Sequence, residues 1–525
     1  MGAAVIVTDM ELKPFQEEAV EVMVGRGSVL LALTMGLGKS FTTIAALEEL
    51  NENGAVKTGL IIVPSSLKFQ WQTEIRKITG RLALVIDGNK ATREMLYRHA
   101  CRYMYVITNY ESIVNDWNIV RDLDLDYIVC DEATALKSFT AKRSKKVKFL
   151  GKRTPVRFAL TGQPIENRPE ELFSIMEFVD PTVLGDFRKF DRTFIVRDHW
   201  GRPKRSRNLP LLQTTMADVM YRKARKDVAD QFPQVNAAMR PFYLSPLEAS
   251  LYERVAHQTI ELIDKATGQF GSGFSLEAHY GAAEGSASEK MRGDIMSGML
   301  LLRLIANDPR LVIESAKKYT DGRKGEGSKL AAELVEAGWF DKVPDVSTKR
   351  AMFKEYLDEI LADDEESKVV AFTTFKGLIR SIAADTSDIT NCTILDGDMA
   401  ARDRHKSVEK FKSDPKTRLF LSSDAGGYGI DLPNANHLCS LDLPWSAGAY
   451  DQREARIIRI SSEWEQVFIA MLLAHGTLDM RMSQMIVEKG DIASAWLDGG
   501  YDEKGKHELT LGSLRDFLAT ASLRP

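Results

Sequence analysis

Met35-Gly36-Leu37-Gly38-Lys39-Ser40 concentrates more chemistry into six residues than any other stretch of this 525-residue chain. Two glycines let backbone N–H groups wrap an anion, a lysine can reach past them, and a hydroxyl can ligate a divalent cation. An apolar run (29–33) precedes the motif and a helical pattern (41–50) follows it, which is the context of a phosphate loop at a helix N-terminus. On this reading Lys39 meets the outer phosphates of ATP and Ser40 binds Mg²⁺. The eight-residue form of the pattern has glycine where this chain has Leu33. A glycine turn before a core helix would explain the motif alone, so a second part of the site is required. Asp131-Glu132 supplies it, 92 residues after Lys39 and at the end of the apolar run 127–130. Both carboxylates then lie at the C-terminal edge of a strand, where open α/β sheets bind ligands. Asp131 is suited to hold Mg²⁺, directly or through water, and Glu132 to polarise an attacking water.

Strands and helices must alternate to position these groups. Short apolar runs at 29–33, 60–63, 105–108, 127–130 and 158–160 are mostly followed by a turn and a helical pattern, the signature of a parallel sheet covered by helices. Runs at 369–372, 392–395, 419–421 and 437–441 repeat that character. The expected class is α/β, with two nucleotide-binding domains at 1–181 and 351–475. Between them, 182–350 reads as a mainly helical insertion with Gly/Ser-rich loops at 268–275, 281–288 and 322–328. Residues 476–525 read as a helix and loop that dock back on the second domain.

Composition narrows the setting. Hydrophobic residues make up 44% and charged residues 27%, an ordinary globular balance. The four cysteines form no C-x-x-C pair, so neither structural zinc nor disulfides are expected. No signal peptide and no run of about 18 apolar residues is present, so an intracellular, cytoplasmic protein with no membrane partner is expected. The net charge of −4 does not advertise a nucleic-acid binder, but its distribution does. Residues 137–153 hold eight basic and no acidic side chains, and 197–226 hold nine basic and two acidic. Each alone would suit a solvated face. Beside the nucleotide motifs they suit a phosphate-binding track, with Lys137, Lys142, Arg143 and Lys145 as candidates.

The order of motifs from Leu12 to about Lys489 resembles the Swi/Snf-type ATPases of the second helicase superfamily. The resemblance is carried by Leu12-Lys13-Pro14-Phe15-Gln16, the phosphate loop, Asp131-Glu132-Ala133-Thr134 and Leu160-Thr161-Gly162-Gln163-Pro164. Further along come Leu421-Ser422-Ser423-Asp424-Ala425-Gly426-Gly427-Tyr428-Gly429-Ile430-Asp431 and the Gln452, Arg456, Arg459 spacing. It implies two RecA-like domains with ATP and Mg²⁺ between them. Gln16 would read adenine, and Gly429 and Gln452 would join the phosphate loop in binding nucleotide. Arg456 and Arg459 would face the γ-phosphate across the cleft. Thr134, Thr161, Gly162 and Gln163 would couple ATP state to grip on nucleic acid. Ser65, with Gln70-Trp71, then Asn109 and Ser422 resemble strand-contacting motifs. Arg222 and Lys223 fall in a basic family segment, and Gly476-Thr477-Leu478-Asp479 resembles the start of a C-terminal brace. This chain has Leu33-Thr34 where the family has an acidic pair, Thr134 for His, Gln163 for Thr, Asp431 for Asn and Lys223 for Arg. Most of these bear on coupling more than on hydrolysis.

The expected activity is therefore a DNA-dependent ATPase that translocates on double-stranded DNA, in a compact bacterial or phage-like enzyme, with room for a protein partner that targets the motor. A strand-separating DNA or RNA helicase is the alternative. A nucleic-acid clamp without useful turnover is a third, disfavoured because Lys39, Ser40, Asp131, Glu132, Arg456 and Arg459 are all intact.

Overall fold

Strands buried on both faces need apolar side chains at every position, and such continuous runs form the centre of each sheet here. A computed structural model of the protein describes residues 11–162, 164–165, 169–197, 203–270, 286–322, 327–424, 430–445, 447–486 and 511–523. The first sheet has seven parallel strands, in the order Leu84–Val85, Tyr105–Asn109, Gly59–Val63, Tyr127–Cys130, Val156–Leu160, Ser28–Leu33 and Met220–Lys223. The second has six, also parallel, in the order Gln234–Phe242, Gln466–Ala474, His437–Ser440, Val369–Thr373, Thr417–Ser423 and Asn391–Leu395. Alternation along each strand feeds two cores. Leu30, Ile62 and Ile128 enter one face of the first sheet, and Leu31, Ile61 and Val129 the other. In the second sheet Val369 and Ala371 oppose Val370 and Phe372 in the same way. Among the described residues no helix is long and apolar enough to cross a membrane. All four cysteines are free.

The stretch 182–350, expected to be a mainly helical insertion, contributes an edge strand to each sheet. Met220–Lys223 pairs with the phosphate-loop strand, and Gln234–Phe242 pairs with Gln466–Ala474. Neither has a continuous apolar run, because edge positions do not demand apolar side chains: Gln234–Phe242 is exposed along nearly its whole length and carries Pro241. Between the two strands Phe232 packs against the apolar cores of both lobes. The helices Pro246–Phe270 and Ala287–Asn307 then join the core of the second sheet. The C-terminal helix Leu511–Thr520 docks on that layer, with Leu514 in the same core and Arg515 Nε donating to Asp264 Oδ1 at 2.6 Å.

A buried ionic network ties this helical layer to the second sheet. Asp442 has no exposed surface and accepts from Thr374 Oγ1 at 2.6 Å and from the Thr373 hydroxyl. Arg453 Nη2 lies 3.3 Å from it and Arg303 Nη2 3.7 Å. Burial would raise the Asp442 carboxyl, but the Arg453 and Arg303 charges together with the Thr373 and Thr374 hydrogen bonds outweigh it and hold the pKa below the usual aspartate range. The stabilisation is present above the unfolded pKa and is lost as pH falls through the depressed value. Asp442→Ala would leave the buried Arg303 guanidinium without its anionic partner and Arg453 with Asp424 alone, which costs about 3–5 kcal/mol. Urea unfolding of the second lobe should show that loss; a change below about 1 kcal/mol would mean that water satisfies both arginines.

Candidate active site at the cleft between the two sheets

The phosphate loop is a strand-to-helix turn that only glycine can complete. Gly36 and Gly38 have φ of 86° and 77°, and the helix Lys39–Glu52 starts at once. A Cβ at Gly38 would stand 2.5 Å from Gln16 Nε2. That amide donates to the Leu37 carbonyl at 3.0 Å while its oxygen accepts from Lys13 N at 2.9 Å. Gln16 thus fastens the first helix to the loop. Gly162, in the Thr161-Gly162 turn, abuts the loop's start, with Met35 N 3.3 Å from its would-be Cβ. Thr161 is buried, and Thr134 lies on a short 3-10 turn directly after Glu132.

The Tyr127–Cys130 strand delivers the two carboxylates as expected. Asp131 Oδ2 accepts from Trp71 Nε1 at 2.9 Å, and its Oδ1 accepts from Glu132 N at 2.9 Å. Tyr110 donates to its carbonyl at 2.7 Å. Burial raises the Asp131 carboxyl, opposed by the Trp71 bond and the Lys39 charge. Glu132 has φ of 48°, in the left-handed region that a residue with a side chain seldom adopts, so its direction is imposed by its surroundings.

The second lobe supplies the arginines. Arg456 Nη1 donates to the Ile430 carbonyl at 3.1 Å, and Arg459 pairs with the Asp431 carboxylate. The lobes touch here: the Ile458 carbonyl, between the two arginines, lies 2.7 Å from where a Cβ on Gly36 would be. Lys39 donates to the Leu33 carbonyl at 3.1 Å. Burial lowers its pKa, Glu132 and Asp131 raise it, and Arg459 and Arg456 lower it. All five residues expected to act on phosphate therefore share one electrostatic neighbourhood. Gly36→Ala should prevent this contact, because a methyl group both strains the positive φ and meets a carbonyl oxygen. Small-angle scattering should show no contraction on adding a non-hydrolysable ATP analogue; normal contraction would refute it.

Geometry adds residues that motif spacing had not indicated. Trp71, expected to contact a strand, is instead buried as the support of Asp131. Glu74, one turn further along the Lys68–Thr79 helix, is partly buried and accepts from Gln70 Nε2 at 2.8 Å. Its carboxyl is pushed up to about 7, by burial first and then by Asp431 across the cleft. Arg453, beside Gln452, is fully buried and donates to Asp424 at 2.6 Å. Gln452 itself is partly exposed on the Ala447–Glu454 helix. Gln163 and Gly429 lie outside the described residues, as does part of the basic stretch around Trp200.

The expected nucleic-acid contacts divide. Ser65 is exposed on a turn after the Gly59–Val63 strand. Asn109 is largely buried and caps the following helix by accepting from Ser112 N at 3.2 Å. Ser422 is fully buried and donates to the Ser423 carbonyl at 3.0 Å, so its hydroxyl is not available to a strand. Arg222 and Lys223 lie on the edge strand beside the phosphate loop, where Lys223 Nζ is 3.2 Å from Glu18. In the first basic run Lys142 and Lys145 are exposed, Lys137 closes the turn after Glu132, and Arg143 donates to the Ala135 carbonyl at 2.9 Å. Lys148 turns inward to Glu177 at 2.8 Å, so the run is not one solvated face.

The residues suit a magnesium–nucleoside triphosphate. Positive-φ glycines form the cradle, and Arg459 Nε is buried with no hydrogen-bond partner among the described residues, a donor that a phosphate oxygen would satisfy. Among those residues no three His, Cys, Asp or Glu side chains form a metal site by themselves, so Mg²⁺ would rest on Ser40, Asp131 and the phosphates.

A family model described as the SNF2-related domain matches residues 15–311, and the helicase conserved C-terminal domain matches residues 352–461. The chain is 24% identical over 550 residues to the DNA repair and recombination protein RAD54-like of Gallus gallus, spanning 97% of this chain and 70% of that protein. It is 25% identical over 504 residues to an uncharacterized ATP-dependent helicase of Mycoplasma pneumoniae, spanning 93% of this chain but 42% of the relative. The helicase domain of Pyrococcus furiosus Hef shares the fold at a TM-score of 0.52 and 14% identity, covering 90% of this chain and 97% of that one.

Proposed function

The chain belongs to the SNF2-related family of helicase-like ATPases, and we propose that it is a motor that translocates on double-stranded DNA by closing its two lobes around ATP. The observation that carries this reading is the cleft itself, with Lys39, Asp131 and Glu132 on one wall and Arg456 and Arg459 on the other. Bound Mg·ATP would supply a phosphoanhydride whose hydrolysis drives the cycle. The chain's own residues do the rest. The loop amides and Lys39 would hold the phosphates, Ser40 and Asp131 would hold the metal, Glu132 would orient water, and the arginines would stabilise charge when the lobes meet. Because Gly162 touches Met35, a change in the loop has a direct route to the turn that follows the Val156–Leu160 strand.

The DNA assignment draws on the name of the RAD54-like relative and on the basic run. Lys142 and Lys145 are the exposed members best placed to meet a phosphate backbone. Replacing both with glutamine should flatten the dependence of log affinity on log salt by about 0.9 per contact on duplex DNA, whatever its sequence. An unchanged slope would return them to solvent. Strand separation is the second reading, favoured by the helicase named among the relatives. Two assays decide between the readings. A duplex translocase strips the third strand from a triplex in an ATP-dependent reaction, whereas a strand-separating enzyme unwinds a forked duplex. Fork unwinding without triplex displacement would overturn the translocase reading.

A further inference from the structure

Arg459 lies within electrostatic reach of Lys39, yet its guanidinium already has an anionic partner, Asp431, supplied by its own lobe. The neighbouring Arg456 is held differently, by the neutral Ile430 carbonyl at 3.1 Å, while Leu432 N donates to the Arg456 carbonyl at 3.0 Å. One short segment, Ile430-Asp431-Leu432, therefore meets both arginines, and it meets Arg459 through a carboxylate. The Asp431 charge also acts across the cleft on Glu74, whose carboxyl it helps to raise. A carboxylate in that place competes with a phosphate oxygen for the same guanidinium and repels the phosphate as well. The partially buried pair leaves Arg459 Nε without a partner among the described residues.

We infer that Asp431 is a positioning residue that holds Arg459 back from the phosphates, so that lobe closure alone does not complete the active site and a further movement of the 430–432 segment must transfer the arginine from carboxylate to phosphate. This rests on the reading of Arg459 as an arginine finger. Asp424, which Arg453 grips at 2.6 Å at the end of the Thr417–Ser423 strand, precedes Asp431 by seven residues, so nucleic acid at that strand end would lie close to Asp431 along the chain.

The test compares Asp431→Asn, Asp431→Glu, Arg459→Ala and the double variant Asp431→Asn/Arg459→Ala, by kcat and KM for ATP with and without duplex DNA. Asp431→Asn keeps the shape and removes the charge. It should raise kcat without DNA by about tenfold, the ratio set by releasing one charge-assisted contact, with much less effect when DNA is saturating. KM should change little, because the finger acts in the transition state. Asp431→Glu should restore the low basal rate, and the double variant should show none of the gain. A basal rate that falls in Asp431→Asn, or rises equally in the double variant, would overturn the inference. If Arg459→Ala leaves stimulated turnover intact, the finger reading fails instead, a different outcome from the failure of the latch.

Discussion

Arg456→Ala is expected to reduce DNA-stimulated ATP turnover by roughly 10³–10⁵, the range that a supplied arginine contributes to phosphoryl transfer. Arg456 is nearly buried, held by the Ile430 carbonyl, and close enough to Lys39 to depress its pKa across the cleft. Its charge reaches the phosphates only because the lobes meet, with the Ile458 carbonyl against Gly36. DNA binding to the open form, measured by fluorescence anisotropy, should stay within about threefold of the parent because no phosphate-backbone contact is removed. A parallel loss of binding and turnover, together with a lowered melting temperature, would mean that Arg456 serves the second lobe's fold through its bond to Ile430.

Glu132→Gln should abolish steady-state hydrolysis while leaving the affinity for ATP within about threefold, since an amide cannot take a proton from water but still fills the same space. The side chain is directed by backbone in the left-handed region, at φ of 48°, and the change leaves the backbone donor to Asp131 in place. Lys39→Ala should behave differently and weaken binding and turnover together, because its ammonium is needed in the ground state as well. Equilibrium binding of a fluorescent ATP analogue beside a phosphate-release assay separates the two patterns. Parent-rate hydrolysis by Glu132→Gln would remove the carboxylate assignment.

The central strands were legible because burial on both faces leaves a continuous apolar run. The phosphate loop was legible because its positive-φ turn requires glycines at fixed spacing. The strands Met220–Lys223 and Gln234–Phe242 were not, since a sheet edge is half open to water and tolerates Arg222, Asn236 or Pro241. Within the basic segment at 222–226, Lys223 lies 3.2 Å from Glu18, a pairing that the order of residues does not announce.

Sequence by itself determined the chemistry available to each lobe: a lysine and hydroxyl after a glycine turn, two carboxylates at a strand end, and two arginines three residues apart. These are local facts, set by backbone conformation and by distances of a few residues. Only the tertiary structure decided which of those groups are free to act. Trp71 and Asp131 are 60 residues apart, Arg303 and Asp442 139, and Gly36 and Ile458 422, and nothing in the periodicity of either partner encodes the meeting. A buried donor or charge takes whichever complementary group the packing brings within about 3 Å, because leaving it unpaired costs several kcal/mol. That is why Trp71 supports a carboxylate instead of contacting a strand, and why Ser422 is spent inside the sheet. It is also why Arg459 faces the cleft already paired with Asp431.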